Sequence, residues 1–122
     1  MVIENEPHLR DGTPMPTLYW LVDAELHDAV SRVEGEAGVH RFEELTDPEQ
    51  LRLAHERYGA MRDEAIVRTE LVKPSGGIGG TRIGVKCLHA HLANFLANGD
   101  DPVGELVAQL VALPEYCVED VR

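Results

Sequence analysis

Ser75-Gly76-Gly77-Ile78-Gly79-Gly80-Thr81-Arg82-Ile83-Gly84-Val85-Lys86-Cys87-Leu88-His89-Ala90-His91 packs five glycines, two cations, a cysteine and two histidines into seventeen residues. Its first half reads as a loop, because glycines tolerate positive φ and leave the backbone free to turn. Its second half enters an apolar period at Leu88, Leu92, Phe95 and Leu96, which predicts a helix over 85–98. Asn98-Gly99 supplies the stop. Asp101-Pro102 restarts a helix with proline at its first position, and Leu106, Leu110 and Leu113 are expected to line it as far as Pro114. A glycine-rich loop over 74–84 therefore leads into a helical pair over 85–113.

Working outward, the residues before the loop carry three more signals. Thr46-Asp47-Pro48-Glu49-Gln50 predicts a helix start, with Asp47 as cap and Gln50 completing a capping box. Leu51, Ala54, Tyr58, Met61 and Ala65 form its expected core stripe, and His55, Tyr58 and Arg62 a polar cluster beside it. Asp23 is placed to cap an earlier helix with Leu26, Ala29, Val30, Val33 and Ala37 on one face. Between these helices Val39-His40-Arg41-Phe42 reads as a short strand, and Ile66 to Lys73 as another candidate. Thr17-Leu18-Tyr19-Trp20-Leu21-Val22 reads as a buried strand, with Trp20 as a core residue. Residues 1–16, dense in turn formers, read as an extended lead-in. The fold expected is α+β: one domain over 1–122, with a short sheet against a mainly helical layer and more helix than strand.

The 122 residues carry a net charge of −11, which opposes binding to nucleic acid. No apolar run is long enough for a membrane span. The first residues lack the pattern of a signal peptide, so a cytoplasmic protein is expected. Two cysteines, Cys87 and Cys117, make no disulfide framework. The acidity is uneven: residues 71–99 hold no Asp or Glu, while Lys73, Arg82 and Lys86 lie within them. Such a cationic island suits a small anionic ligand or an acidic patch on a partner protein.

The chemistry of the central stretch divides the same way. Gly76, Gly77, Gly79 and Gly80 could offer backbone amides to an anion, with Arg82 and Lys86 adding charge. The spacing is not that of a Walker loop. On the following helix, about 100° per residue brings Cys87 and His91 to one flank and sends His89 to the other. Three readings stay open. Cys87 and His91, completed by His55, could hold a metal such as zinc. Cys87 could be a nucleophile with His91 as its base, in a hydrolase or transferase acting on a phosphorylated small molecule. Or the cysteine is buried and the histidines cap or pack. His55, Tyr58 and Arg62 would wall the pocket, whether its role is catalytic or binding.

Gly12-Thr13-Pro14-Met15-Pro16-Thr17-Leu18-Tyr19-Trp20-Leu21, Ala54-His55-Glu56-Arg57-Tyr58 with Arg62-Asp63, Gly76-Gly77-Ile78-Gly79-Gly80, Gly84-Val85-Lys86-Cys87-Leu88-His89-Ala90-His91 and Asp101-Pro102-Val103-Gly104 follow in this order. Together they resemble the bacterial family catalogued as domain of unknown function 501, common in actinobacteria. The family brings no activity with it. The resemblance implies a link to cell division or envelope physiology, because the family's genes often neighbour one for a septum-formation initiator. A non-catalytic adaptor in that machinery is therefore an alternative to a pocket. Many relatives carry Leu-Thr-Cys-Pro where this chain has Leu21-Val22-Asp23-Ala24, which leaves Asp23 here as a helix cap.

Overall fold

The computed structural model describes residues 2–111. Two short strands, β1 (Val2–Glu4) and β2 (Tyr19–Leu21), precede four helices: α1 (Ala24–Leu45), α2 (Pro48–Glu64), α3 (Leu88–Asn98) and α4 (Pro102–Leu110). A single turn of 3₁₀-helix, Ile78–Gly80, interrupts the glycine loop. The α+β class expected from the sequence is the one observed, with helix far exceeding strand. No helix among the described residues is long and apolar enough to cross a membrane.

The sheet corrects the lead-in. β1 pairs antiparallel with β2, with Val2 opposite Leu21, Ile3 opposite Trp20 and Glu4 opposite Tyr19, so residues 2–4 are strand. Alternation along β2 buries Tyr19 and sends Trp20 outward with its partner Ile3. Trp20 is consequently 44% exposed, and the expectation that it fills the core fails on strand parity. Its indole N–H donates to the Asn5 carboxamide oxygen.

Asp23 caps α1 as expected, its carboxylate accepting from the Leu26 amide at 2.9 Å. Val39 to Phe42, read as a strand, is instead the second limb of α1. Gly38 lies inside this helix at φ 71° and ψ 159°, a conformation closed to residues with a side chain, and it kinks the axis. Past the kink, Val39 and Phe42 share a helical face that packs on the core, while His40 and Arg41 are exposed. A strand would have put Val39 and Phe42 on opposite faces. Thr46 ends the limb, its hydroxyl donating to the Phe42 carbonyl at 2.7 Å.

α2 starts at Pro48 with Asp47 in the cap position, but the Asp47 side chain makes no capping bond, so the expected capping box is absent. Its buried face is also turned from the prediction. Leu51, Ala54 and Tyr58 are buried with His55 and Arg62, whereas Ala65 is exposed and Met61 half-buried. The candidate strand before the glycine loop is irregular chain, with Val67 and Val72 exposed.

α3 is the centre of the molecule. It packs against both strands, α1, α4 and the 3₁₀ turn. Leu88, Leu92 and Leu96 join Leu26, Val30, Phe42, Leu51, Val103 and Val107 in the larger core, and Ala90 and Ala93 join Leu18, Tyr19, Ala54, Tyr58 and Ile78 in a second. α4 closes on α3 through Gly104, where a Cβ would stand 2.4 Å from the His91 carbonyl oxygen. That contact turns Val103 and Val107 inward and leaves Leu110 exposed, against the leucine stripe expected there. The side chain of Ala37, and residues Leu113, Pro114 and Cys117, lie outside what is described.

Candidate functional site

The polar face of α2 is occupied by the protein itself. His55 accepts from the Ile78 amide through Nδ1 at 3.0 Å and donates from Nε2 to the Gly84 carbonyl at 2.8 Å. This fixes a neutral tautomer, and burial lowers the ring's pKa below its ordinary value. The Tyr58 hydroxyl accepts from the amides of Leu18 at 2.7 Å and Tyr19 at 3.3 Å, and burial raises its pKa. Arg62, 2% exposed, donates to the carbonyls of Pro16 at 3.2 Å, Gly76 at 2.8 Å and Pro74 at 3.4 Å. These side chains satisfy backbone groups of irregular segments that could not otherwise be buried without cost. They hold the loop and strand in place.

The glycine loop is likewise turned inward. The Gly77 amide donates to the Thr81 carbonyl at 2.7 Å and the Gly80 amide to the Gly77 carbonyl at 3.0 Å, while Ile78 donates to His55. Gly77 lies flat against that histidine, and a Cβ there would come within 2.6 Å of its ring. An anion cradle built from this run of amides is therefore corrected: those of Gly77, Ile78 and Gly80 have internal partners, and Gly76 and Gly79 alone do not make one. What remains for an anion is side-chain charge. Arg82 lines a groove of about 650 Å³ with Arg52, Arg62, Lys73, Ser75 and Gly76. Arg52 is paired with Glu49 and Glu56 and Lys73 with Asp63, whereas Arg82 and Lys86 are exposed and make no ion pair among the described residues.

Downstream of the loop, two carboxylates of α1 grip the chain. Glu43 accepts from the Val85 amide at 2.7 Å and Glu34 from the Leu88 amide at 3.1 Å. The second bond satisfies a free amide at the N-terminus of α3 and places negative charge at the positive end of the helix. Cys87 is the cap residue of α3 and has extended geometry, φ −146° and ψ 117°. The helical offset that joined Cys87 to His91 does not apply to it. Instead Cys87 faces His89, with Sγ 3.9 Å from Nδ1.

His91 points into the core. Its Nδ1 donates to the Asp101 carboxylate, 2.9 Å from both oxygens, and both side chains are 0% exposed. Asp101 also accepts from the Asn94 carboxamide at 3.1 Å and the Gly104 amide at 2.9 Å. The rings of His91 and His55 meet edge to face, centroids 5.8 Å apart. His91 thus locks α3 to α4, and the pairing of Cys87 with His91 and His55 is replaced by another set.

That set is Glu34, Cys87 and His89, each half-buried, with one ligand atom from each lying within 4.8 Å of the others. Tetrahedral zinc bonds of about 2.0–2.3 Å put ligand atoms about 3.3–3.6 Å apart. The observed 3.2 Å from Glu34 to His89 Nδ1 and 3.9 Å from Cys87 to the same nitrogen bracket that spacing. Two of the three ligands are held by their other atom. Glu34 is tied through Oε2 to Leu88. His89 Nε2 lies 3.1 Å from both the His27 carbonyl and the Ser31 hydroxyl, the outer-shell arrangement typical of ligating histidines. The His27 ring stacks on His89 with centroids 4.3 Å apart.

Spacing along the chain could not reveal Glu34, which lies 53 residues before Cys87, or Asp101. His89, set apart from Cys87 by the helical offset, joins it because Cys87 stands before the helix in extended backbone. No curated protein and no solved structure matches the chain. The sequence model of one family, described as Protein of unknown function (DUF501), matches residues 1–109, and the chain belongs to that family.

Proposed function

We propose that this protein binds a zinc-class divalent ion through the Glu34 carboxylate, the Cys87 thiolate and the His89 imidazole. One observation carries the reading. His89 Nε2 is 3.1 Å from the His27 carbonyl, which can only accept, and from the Ser31 hydroxyl, which can do either, so a hydrogen on Nε2 is the arrangement that suits both. Nδ1 then turns a lone pair toward the Glu34 carboxylate at 3.2 Å, an acceptor facing an acceptor. A cation between them resolves the conflict, either a second ring proton or a metal ion. A proton engages only the carboxylate, whereas the Cys87 sulfur beside the same nitrogen gives a metal ion its third donor. A Cys–His nucleophile is less well supported, because Nδ1 lies closer to Glu34 than to sulfur.

Elemental analysis of protein purified without chelator tests this directly. Close to one zinc per chain is expected, and its loss in Cys87→Ser and His89→Gln with the fold retained. A metal-free protein that also takes up no zinc on titration removes the reading.

A second reading follows from Arg82. This arginine makes no ion pair among the described residues and lines a groove that also holds Lys73 and Arg62. A small phosphorylated molecule suits that groove, as does an acidic patch on a cytoplasmic partner in an adaptor role. Arg82→Glu is expected to abolish either interaction and to leave zinc content unchanged.

A further inference from the structure

Resting on the metal reading, we infer that the fourth coordination position of the ion opens into the pocket between β2 and α3, where it takes the donor atom of a small apolar carboxylate. Structural zinc sites close with four protein ligands, while sites that exchange ligands keep three and leave one position open. Among the described residues no fourth His, Cys, Asp or Glu joins Glu34, Cys87 and His89. His27 stacks on His89 without entering the ligand set.

The open side has a definite shape. Cys87 and His89 themselves line a pocket of about 320 Å³, walled by Tyr19, Trp20, Leu21 and Ala90 with Thr17 and His27 as polar members. This is the lower end of the range for small-molecule sites, and the mix of mostly apolar wall with few polar groups is the usual one. Trp20 is the chain's sole tryptophan. Strand parity turns it out of the core, and its bond to Asn5 holds the indole in place. A ligand with a carboxylate head on the ion and an apolar body against Trp20 and Ala90 uses both parts of the site. His27 lines the same pocket with its ring against His89, and an imidazole N–H there is the polar group on offer to the second carboxylate oxygen.

The test uses the full chain loaded with cobalt(II), whose visible bands report coordination and whose near-ultraviolet band reports the thiolate. Acetate and phenylacetate are titrated separately, reading the cobalt bands and Trp20 fluorescence. Both should shift the bands, phenylacetate at about tenfold lower concentration because its ring is buried. Trp20→Ala should erase that preference while acetate still binds. Cobalt bands that show the thiolate but ignore both carboxylates mean a closed site, which overturns this inference and leaves the metal reading standing. Equal affinity for the two acids also overturns it, by removing the pocket from recognition. Failure to form the thiolate–cobalt band at all removes the metal reading, and this inference with it.

Discussion

Two groups of polar side chains flank the glycine loop, and they differ in what they are bonded to. On α2, His55, Tyr58 and Arg62 are buried, and each is bonded to backbone amides or carbonyls of the neighbouring loop and strand. Across the loop, Glu34, Cys87 and His89 are half-buried and face one another with acceptor atoms. The first group completes the fold, so its removal should register as lost stability. The second group keeps coordinating atoms that the fold does not consume, the Cys87 sulfur above all, although Glu34 also caps α3; removal of Cys87 should therefore register as lost binding. A polar cluster read from sequence is therefore informative about ligands only once the backbone's own needs are subtracted.

The sharpest way to test the contrast starts at the lock between α3 and α4. Asp101→Ala strands the His91 Nδ1–H, the Asn94 carboxamide and the Gly104 amide in the core. A loss of about 3–5 kcal/mol is expected from urea unfolding in chelator, and a loss under 1 kcal/mol would show that the lock is dispensable. Next in size is Tyr58→Phe, which deprives the Leu18 and Tyr19 amides of their acceptor. It should cost about 1–3 kcal/mol. Cys87→Ser under the same metal-free conditions should stay within about 0.5 kcal/mol; equal costs for the two variants would erase the distinction between the clusters.

The first cluster should also show a dependence on pH. Burial lowers the His55 pKa in the fold, so its contribution to stability is full above the ordinary value near 6.5. That contribution disappears as pH falls through the lowered value, with a slope of at most about 1.4 kcal/mol per pH unit. His55→Gln should unfold more easily at pH 8 yet show a shallower decline on acidification. Parallel pH profiles for the two proteins would mean that His55 takes no part.

Much of the fold was legible because its signals are local. Pro48 and Pro102 mark helix starts, Gly99 closes α3, and the spacing of Leu88, Leu92 and Leu96 gives its buried face. What escaped depends on contacts between distant segments. Polar His55 and Arg62 share the buried face of α2 because distant carbonyls and amides need partners there, which no hydropathy pattern records. Cys87 was legible as a site residue, but its extended backbone reassigns its neighbour from His91 to His89. Residues 39–42, short and set off by glycine, read as a strand and are instead helix, the arrangement that brings Val39 and Phe42 together on the core.

Gly38 gives α1 a further property. Its kink separates two limbs, one bearing Glu34 and the other Glu43, and both carboxylates hold the segment from Val85 to Leu88. The helix works as a pair of callipers, with Gly38 as the pivot and the cysteine between the jaws. No other group lies within 4 Å of where a Gly38 side chain would begin, so an alanine there would act through backbone conformation alone. The two jaws are thus joined through a residue that makes neither of the hydrogen bonds by which they hold the chain.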